Sequence, residues 1–407
     1  MIVSLLSPFS YYGVSDQRPF DIQVANAVQH MTSNHTTHSL IQHNGSIPRD
    51  SPSTITSGAT VYNSNCISFD PTNRTVTVAC NSARLSDLYK TFNDGNILAK
   101  QTPTGTWFLS ANLVIAKGAT FHIDSTDTKW LKINSKPESG NGSKAYIIDV
   151  FGSLKINSVK ITSWDPTTND YAITHGSRHG DTKHAGAPRP YFKVEGGATG
   201  TTDIVNSEIA YLGYEKGRIS GQGTDGLNYY GGGGSVLRGN NIHDLYFGFY
   251  SVGVGHVVIE SNVIHDNGHY GLDPHTGTHD MTIRNNTVYG NKGIGIICSL
   301  DCYNILIENN RVHDNAASGI MFSRNMTGSI ARNNIVYNED NGIFVSDSHN
   351  NQIYKNIISN STNGFNVGSG SSDNKIYNNT ITKSTSHGIS VSGKDIAANK
   401  IYSNVIK

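Results

Sequence analysis

The chain has 407 residues, with 31 basic and 31 acidic side chains and no formal net charge. That balance lacks the basic excess usual in nucleic-acid-binding proteins, and no apolar run approaches the roughly 18 residues needed to span a bilayer. With 42 glycines against 11 prolines and only 15% charged residues, the composition is typical of a β protein with many tight turns.

The first 104 residues show no internal repeat. The opening "MIVSLLSPFSYYGVSDQ" has a short apolar patch without a basic flank, either a remnant of an export signal or an incidental start. Cys66 and Cys80 bracket "ISFDPTNRTVTVA", which predicts a hairpin across which a disulfide can form. A short helix is predicted at "ARLSDLYKTFND". We interpret residues 1–104 as a segment that shields the open end of the following domain.

From Gly105 onward, short apolar β runs alternate with turn residues, as in "TWFLSANLVIAKGATFHID" and "AYIIDVFGSLKINSVKITSWD". Two stretches interrupt the pattern, "HGSRHGDTKHAGAPR" and "YEKGRISGQGT". We interpret both as projecting loops. The second adds about ten residues to one unit of a 22–25-residue repeat that runs through the second half of the chain.

Two markers recur every 22–25 residues or so through the second half of the chain. One is an Asn before a short apolar run, as in "SNVIHDN" and "NNRVHDN", and the other is a Gly that opens segments such as "GLDPHT" and "GIMFSR". The Asn positions are Asn241, Asn262, Asn286, Asn310, Asn334, Asn356, Asn379 and Asn404. The Gly positions are Gly226, Gly248, Gly271, Gly295, Gly319, Gly342, Gly364 and Gly388.

A repeat of this length cannot bury a core alone, so neighbouring repeats must stack. All-β coils of this size predict a right-handed parallel β-helix, here over residues 105–407. The recurring Asn can adopt left-handed geometry and hydrogen-bond to its copies in adjacent rungs, so we expect an Asn ladder at one corner. The histidines of the repeated "IHD" corners, His243, His265 and His313, are predicted to be structural.

The segment "NGHYGLDPHTGTHD" concentrates titratable groups in one rung. Counting from the marker Gly, the first position is apolar in every rung and the third position is apolar in most rungs, so both are predicted to face the core. In this rung they are Leu272 and Pro274. Because side chains alternate along a strand, Asp273 and His275 should point outward together. The proline removes a ladder hydrogen bond, which a functional site can tolerate.

Stacking supplies neighbours for this pair. Strands stack ~4.8 Å apart, so Tyr250, Asn228 and Tyr230 should lie on one side, and Ser299 and Ser323 on the other. Two rungs further on, the long side chain of Arg324 can lean back toward His275; alternatively it can simply pair with a nearby aspartate.

The segment "YGLDPH" resembles the Tyr-Gly-x-Asp-Pro-His signature of the mannuronan C5-epimerases of the alginate pathway, especially the periplasmic bacterial type. "EIAYLGY", "IHDLYFGFY", "GIMFSRN" and "LVIAKGATFHID" extend the likeness over roughly residues 105–360. The periplasmic enzymes usually carry a second Asp after the signature, whereas this chain has Thr276. The chain has no "GGxGxDxL" calcium repeat.

The resemblance implies inversion of C5 in D-mannuronate residues of a β-1,4-linked polymer, giving L-guluronate. The C5 proton is α to a carboxylate, so its removal would add a second negative charge to an anion. A cation or proton must therefore neutralise the carboxylate, a base must remove the proton, and an acid must return one to the other face.

The resemblance assigns this chemistry to Tyr270, Asp273 and His275. His275 is the natural base or acid, because its ordinary pKa lies near 6.5. Tyr270 could act on the opposite sugar face, a role for which its pKa near 10 would need to be lowered by nearby cations. Asp273 would either be protonated and bind the substrate carboxylate or orient His275.

Arg324 is favoured for neutralising the substrate carboxylate, because its planar fork fits a carboxylate better than a lysine does. Arg238 and Lys292 are alternates, and His269 is a further candidate acid or base. Tyr250 and Tyr230 would either stack on sugar rings or only decorate the face, with Asn228 beside them.

Two other functions remain open. A polysaccharide lyase would remove the same C5 proton and then expel the 4-O substituent, and a non-catalytic binding solenoid would hold the polymer without turnover. In each case we expect an exported, monomeric protein with an anionic polysaccharide as its partner. We expect no cofactor, although calcium stays open, and no metal site at Cys298 and Cys302, which lack visible partner ligands.

Overall fold

The structure, a computed structural model, describes residues 65–135, 145–173, 188–215 and 223–407. The apolar opening of the chain and most of both predicted loops lie outside these residues. None of the helices in the described part is long and apolar enough to cross a membrane.

The described strands form three long sheets, and successive rungs of the chain add one strand to each. Sheet 1 contains Ile67–Asp70, Thr75–Val78, Asn112–Ile115, Ile147–Val150, Tyr191–Val194, Gly226–Tyr229, Phe247–Val252, Leu272–His275, Ile296–Ser299, Ser318–Ser323, Asn341–Ser346, Asn363–Val367 and His387–Val391. Sheet 2 contains Ala83–Arg84, Thr120–Asp124, Ser153–Asn157, Thr202–Val205, Val236–Arg238, Val258–Glu260, Thr282–Arg284, Leu306–Glu308, Ile330–Arg332, Gln352–Tyr354, Lys375–Tyr377 and Lys400–Tyr402. Sheet 3 contains Leu98–Gln101, Thr106–Leu109, Trp130–Asn134, Lys160–Trp164, Glu208–Ala210, Asn241–His243, Val263–His265, Thr287–Tyr289, Arg311–His313, Ile335–Tyr337, Ile357–Ser359, Thr380–Thr382 and Val405–Ile406.

Pairing within the sheets is parallel from rung to rung, which confirms the predicted parallel β-helix. Antiparallel pairs occur at the N-terminal end, where Ile67–Asp70 pairs with Thr75–Val78 and Leu98–Gln101 pairs with Thr106–Leu109. Cys66 and Cys80 form a disulfide across the first pair.

A helix at Leu85–Phe92 follows this hairpin. Leu85, Leu88 and Phe92 lie on one face because of their three- and four-residue spacing, and all three are buried in the main core of the solenoid. The helix ends at Asn93, whose left-handed conformation is a common way to terminate a helix.

The inward register of sheet 1 is as predicted. Phe249, Leu272 and Ile296 stack at the first position after the marker Gly, and each is fully buried in the main core. Ser251, Pro274 and Cys298 follow at the third position and are also buried.

The marker glycines are required by close approach between rungs. A Cβ on Gly248 would lie 2.4 Å from the carbonyl oxygen of Gly271, and one on Gly271 would lie 2.6 Å from that of Gly295. Both distances are far below contact, so a side chain at either position would push the rungs apart.

The predicted Asn ladder is present, with a correction of one residue at its start. Asn262 donates its amide to Asn286 Oδ1 at 3.0 Å, and the pattern repeats along the corner. In the first rung, however, the ladder residue is Asn240, which is buried and bonds Asn262 at 2.9 Å. Asn241 is exposed instead, because it begins the next strand.

A second buried ladder, not predicted from the sequence, runs through Asn267, Asn291 and Asn315. It continues into Glu339, whose Oε1 accepts a 2.8 Å hydrogen bond from the Asn315 amide. Glu339 is only 4% exposed, and burial raises the pKa of its carboxyl to about 8, against the opposing effect of its Asn315 hydrogen bonds. Glu339 Oε2 has no hydrogen-bond partner among the described residues.

Replacing Glu339 with glutamine should therefore stabilise the fold at alkaline pH. The folded-state pKa lies above the ordinary value, so the wild type loses stability as pH rises from about 4.5 toward 8, where only the unfolded state is readily ionised. The expected gain is small at pH 5 and on the order of 2–4 kcal/mol at pH 9. Urea unfolding at both pH values measures it.

Glu308→Gln is the matched control, because it removes a carboxylate that pairs with Arg332 on the surface. It should not stabilise the protein at either pH. Equal destabilisation of the Glu339 variant at pH 5 and pH 9 would mean that Glu339 is ionised in the folded protein.

Candidate functional site

The outer face of sheet 1 carries the predicted cluster. Tyr250 pairs with Asp273 in adjacent strands, and His275 pairs with Ser299. Tyr250 and its aromatic neighbours form a cluster separate from the main core. The predicted register is therefore confirmed, since the aspartate and histidine share one outer wall while Leu272 packs into the core.

Strict alternation fails at the marker Gly, and this failure brings Tyr270 to the site. One residue before the Gly, alternation would place the side chain on the core side. Instead, Tyr270 packs in the outer clusters, with its ring stacked on Phe247 at a centroid distance of 5.3 Å. On its other side it lies against Gly293, where a Cβ would come within 2.7 Å of the ring.

Asp273 faces outward, but it is not exposed as predicted. Its exposure is 3%, because aromatic neighbours on the same face cover it. Burial raises the pKa of its carboxyl well above the ordinary range, although Arg324 opposes the shift. Its Oδ1 atom has no hydrogen-bond partner among the described residues. Burial therefore favours the protonated form of the Asp273 carboxyl.

His275 is half-buried at the end of the same strand. Burial, together with the positive charge of Arg324, lowers the pKa of its imidazole to about 3. The ring is therefore neutral throughout the physiological range and can accept a proton.

Arg324 leans back over the intervening rung to reach His275, two rungs away, as predicted. Its Nε and Nη2 donate to Ser299 Oγ at 2.9 and 2.6 Å, and Nη2 lies 2.9 Å from His275 Nε2. A guanidinium has only donors, so Nε2 must be the unprotonated acceptor. The alternative pairing with a nearby aspartate is not formed among the described residues; Asp301 instead accepts a hydrogen bond from Asn325.

Tyr270 differs from expectation in its acidity. Burial and the neighbouring Asp273 raise the pKa of its hydroxyl to about 12, and Arg324 opposes this only partly. The lowering by nearby cations that its role was expected to require is therefore absent. Tyr270 therefore keeps its proton at neutral pH and is suited to donate it.

Tyr250 and Tyr230 line the site on the side of the preceding rungs. Tyr250 is only 5% exposed and lies 5.6 Å from the His275 ring, so it forms a wall and offers no open face to a sugar. Tyr230 is partly exposed and meets Tyr250 edge to face at 6.4 Å. Burial raises the pKa of both hydroxyls, which stay protonated.

Two predicted substrate-binding residues do not belong to the site. Asn228 is fully buried, and its amide donates to the Phe192 carbonyl at 3.0 Å. Arg238 lies on sheet 2, where it pairs with Glu260. Neither side chain is available to a ligand on sheet 1. Asn228 is in register with Tyr250 but is covered and hydrogen-bonded, and Arg238 belongs to another sheet.

His269 and Lys292 lie at the corner that leads into the site. His269 meets Tyr270 edge to face at 3.9 Å and contacts Phe247 at 5.0 Å. Lys292 is exposed, and its backbone amide bonds the Asn267 carbonyl. His269 therefore supports Tyr270, whereas Lys292 lies exposed at the same corner.

Sequence reasoning missed two features of the site. Phe247 and Tyr246 form an aromatic floor beside Tyr270, stacked at 5.0 Å, and "LYFGFY" could have pointed to them through its density of rings. Thr276, singled out only as a departure, has its Oγ1 2.5 Å from His275 Nδ1.

The "IHD" histidines lie elsewhere, as predicted. His265 and His313 stack with Tyr289 on sheet 3 at centroid distances of 4.8 and 5.1 Å, and each bonds the following aspartate. They form a structural ring ladder on a sheet that does not carry Asp273.

The site thus combines a neutral imidazole, a buried carboxyl, a protonated tyrosine and a guanidinium within one wall. This set can bind a carboxylate, accept a proton and return one. The described residues contain no group of three or more His, Cys, Asp or Glu placed to hold a metal ion. Cys298 and Cys302 are free thiols buried beneath the site.

Comparison with known proteins gives relatives over part of the chain. The chain is 31% identical over 194 residues to the mannuronan C5-epimerase AlgG of Azotobacter vinelandii and 28% identical over 190 residues to a mannuronan C5-epimerase of Pseudomonas fluorescens. Each match covers 44% of this chain and 32% of the relative, so the similarity spans about a third of the relatives' length.

Solved structures and a family model extend the comparison. The periplasmic alginate epimerase AlgG superimposes with a TM-score of 0.65 at 21% identity, covering 81% of this chain and 85% of that one, which shows a shared fold. A family model described as a right-handed β-helix region matches residues 197–348 and 301–407. These matches supply the handedness that the strand pairing alone does not give, and the chain belongs to the right-handed β-helix family.

Proposed function

We propose that this protein inverts C5 of D-mannuronate residues within a mannuronan-like polymer. The support is twofold. Relatives over the matched stretch are named mannuronan C5-epimerases. The observation that carries the proposal is the contact between Arg324 and the unprotonated Nε2 of His275, beside the buried Asp273. Cation, base and neutral acid are thereby within reach of one uronate.

Arg324 has a double role in this proposal. In the free protein it occupies the lone pair of His275, so the base is masked. A substrate carboxylate is a stronger partner for a guanidinium than an imidazole is. Binding would draw Arg324 onto the carboxylate, neutralise it, and free Nε2 to remove the C5 proton.

Asp273 completes the neutralisation. As a protonated acid with a free Oδ1, it can donate a hydrogen bond to the carboxylate, which an ionised aspartate could not do. Its burial ensures that the bond forms away from water, where it strengthens as charge builds up on the carboxylate in the transition state.

Tyr270 is the proton donor in this scheme. Its pKa of about 12 keeps the hydroxyl protonated. The Tyr270 hydroxyl interacts electrostatically with both Asp273 and Arg324. His275 takes the proton from one face of C5 and Tyr270 returns one to the other. Solvent then resets both groups, so the donated hydrogen comes from water.

The test is incubation with polymannuronate in deuterated buffer. We expect guluronate signals by proton NMR, deuterium at C5, no rise in the ultraviolet absorbance of unsaturated uronate ends, and the same rate with excess chelator. Rising absorbance without guluronate would identify a lyase. Binding with neither product would identify a non-catalytic solenoid and overturn the proposal.

We further propose that the protein works outside the cytoplasm. The Cys66–Cys80 disulfide is typical of oxidising compartments. Thiol titration of the protein from its natural source, unfolded without reductant, should then find two free thiols, Cys298 and Cys302. Finding four would contradict an exported location.

A further inference from the structure

Thr276 lies at the corner immediately after the site strand, where the chain turns with a positive φ. Its φ is +30°, in the region that β-branched residues rarely adopt. The conformation is held from both sides, because Thr276 N donates to the Ser299 carbonyl at 3.0 Å and Gly253 N donates to the Thr276 carbonyl at 2.9 Å. This corner conformation recurs in register at Leu300 and Arg324, and at Thr276 it places the hydroxyl beside the His275 ring.

That hydroxyl meets the far nitrogen of the imidazole. Thr276 Oγ1 lies 2.5 Å from His275 Nδ1, while Arg324 Nη2 lies 2.9 Å from Nε2. Because Arg324 can only donate, Nε2 carries the lone pair and the single ring proton of the neutral imidazole is on Nδ1. Nδ1–H therefore donates to Thr276 Oγ1.

We propose that Thr276 is a positioning residue that holds His275 as the Nδ1–H tautomer and aims its Nε2 lone pair at the position now occupied by Arg324. The catalytic consequence rests on the function proposed above, since Nε2 is the atom that would take the C5 proton. The tautomer itself is a property of the free protein.

The Thr276 hydroxyl, as the acceptor for His275 Nδ1–H, also affects the pKa of His275. The titratable and charged groups that the structure shows next to His275 are Arg324 at Nε2, Tyr250 at 5.6 Å between ring centroids, and Asp273 on the same face of the strand. Among them Arg324 carries a positive charge, whereas burial favours the protonated forms of Tyr250 and Asp273. A neutral hydroxyl at residue 276 does not offset the positive charge of Arg324, which lowers the pKa of His275. A carboxylate at residue 276 would favour the imidazolium and raise that pKa.

Three substitutions separate these effects. Thr276→Val keeps the branched shape but removes the acceptor, Thr276→Ser keeps the hydroxyl without the β-branch, and Thr276→Asp replaces it with a charge. Thr282→Val, at a half-buried threonine on sheet 2, is the matched control. Nitrogen-15 NMR of the free protein, with the His275 signals identified by comparison with His275→Gln, reports the tautomer without any substrate.

We expect the wild type, the serine variant and the control to show the Nδ1–H pattern. The valine variant should show a mixture of tautomers and a kcat about 10- to 100-fold lower, with little change in KM. The aspartate variant should move the acid limb of kcat/KM upward by about 1–3 pH units.

An Nε2–H pattern in the wild type, or an unchanged pattern in the valine variant, would overturn the proposal. So would equal losses in the serine and valine variants, which would indicate a purely structural turn. If polymannuronate is not turned over at all, the NMR comparison still decides the role of Thr276, so failure of the proposed function is distinguishable.

Discussion

Replacing His275 with alanine is expected to lower kcat/KM on polymannuronate by about 10²–10⁴-fold, the usual contribution of a general base. The imidazole is held by Arg324 and Thr276 and is half-buried beside the Tyr250 ring, so a solvent molecule cannot take its place efficiently. Initial rates of guluronate formation by NMR provide the measurement, and polymer binding should persist because Arg324 is intact.

The control is His313→Ala. His313 stacks between Tyr289 and Tyr337 on sheet 3, so its loss removes an imidazole of similar burial without touching the site. Its effect should be limited to a small decrease in stability. If the two variants have equal activity, the site assignment is wrong.

The pH profile provides a second check on His275. The pKa of the imidazole in the folded protein is about 3, below its ordinary value of 6.5. The active neutral form therefore persists as pH falls through 6.5, and activity should be retained at pH 5. An acid limb centred near 6.5 would show that His275 is either solvated in the working enzyme or not the base.

Much of the fold follows from the sequence because one repeat constrains several levels of structure at once. The spacing of marker residues fixes the rung length, and the apolar first and third positions fix the inward register at Leu272 and Pro274. The single-residue error at Asn241 has a local cause. Asn240 and Asn241 are adjacent and identical in type, and only the burial of Asn240 in the structure shows which of them belongs to the ladder.

Features of the site that depend on strand register were predictable from the sequence. Features that depend on the burial of one side chain by side chains from other rungs were not. The shared wall of Asp273 and His275, and the reach of Arg324, follow from alternation and strand spacing. The burial of Asp273 and the raised pKa of Tyr270 depend on aromatic rings from other rungs. Alternation even gives the wrong side for Tyr270, because the chain bends at the marker Gly.

Replacing Arg324 with alanine is expected to lower kcat/KM by about 10²–10³-fold, through both a higher KM and a lower kcat. The substitution removes the cation that would pair with the substrate carboxylate. It also removes the charge that lowers the pKa of His275, Asp273 and Tyr270, so all three pKa values should rise and the acid limb should move to higher pH. Arg324→Lys should recover the charge but not the fork, and hence only part of the activity.

The direction of this effect tests the two roles given to Arg324 against each other. If the guanidinium did nothing except mask His275 Nε2, its removal would expose the base and raise kcat/KM. A decrease means that pairing with the carboxylate outweighs the cost of unmasking the base. Arg311→Ala, an equal change of charge on sheet 3, should leave kcat/KM unaltered, which separates local pairing from long-range attraction of the polyanion.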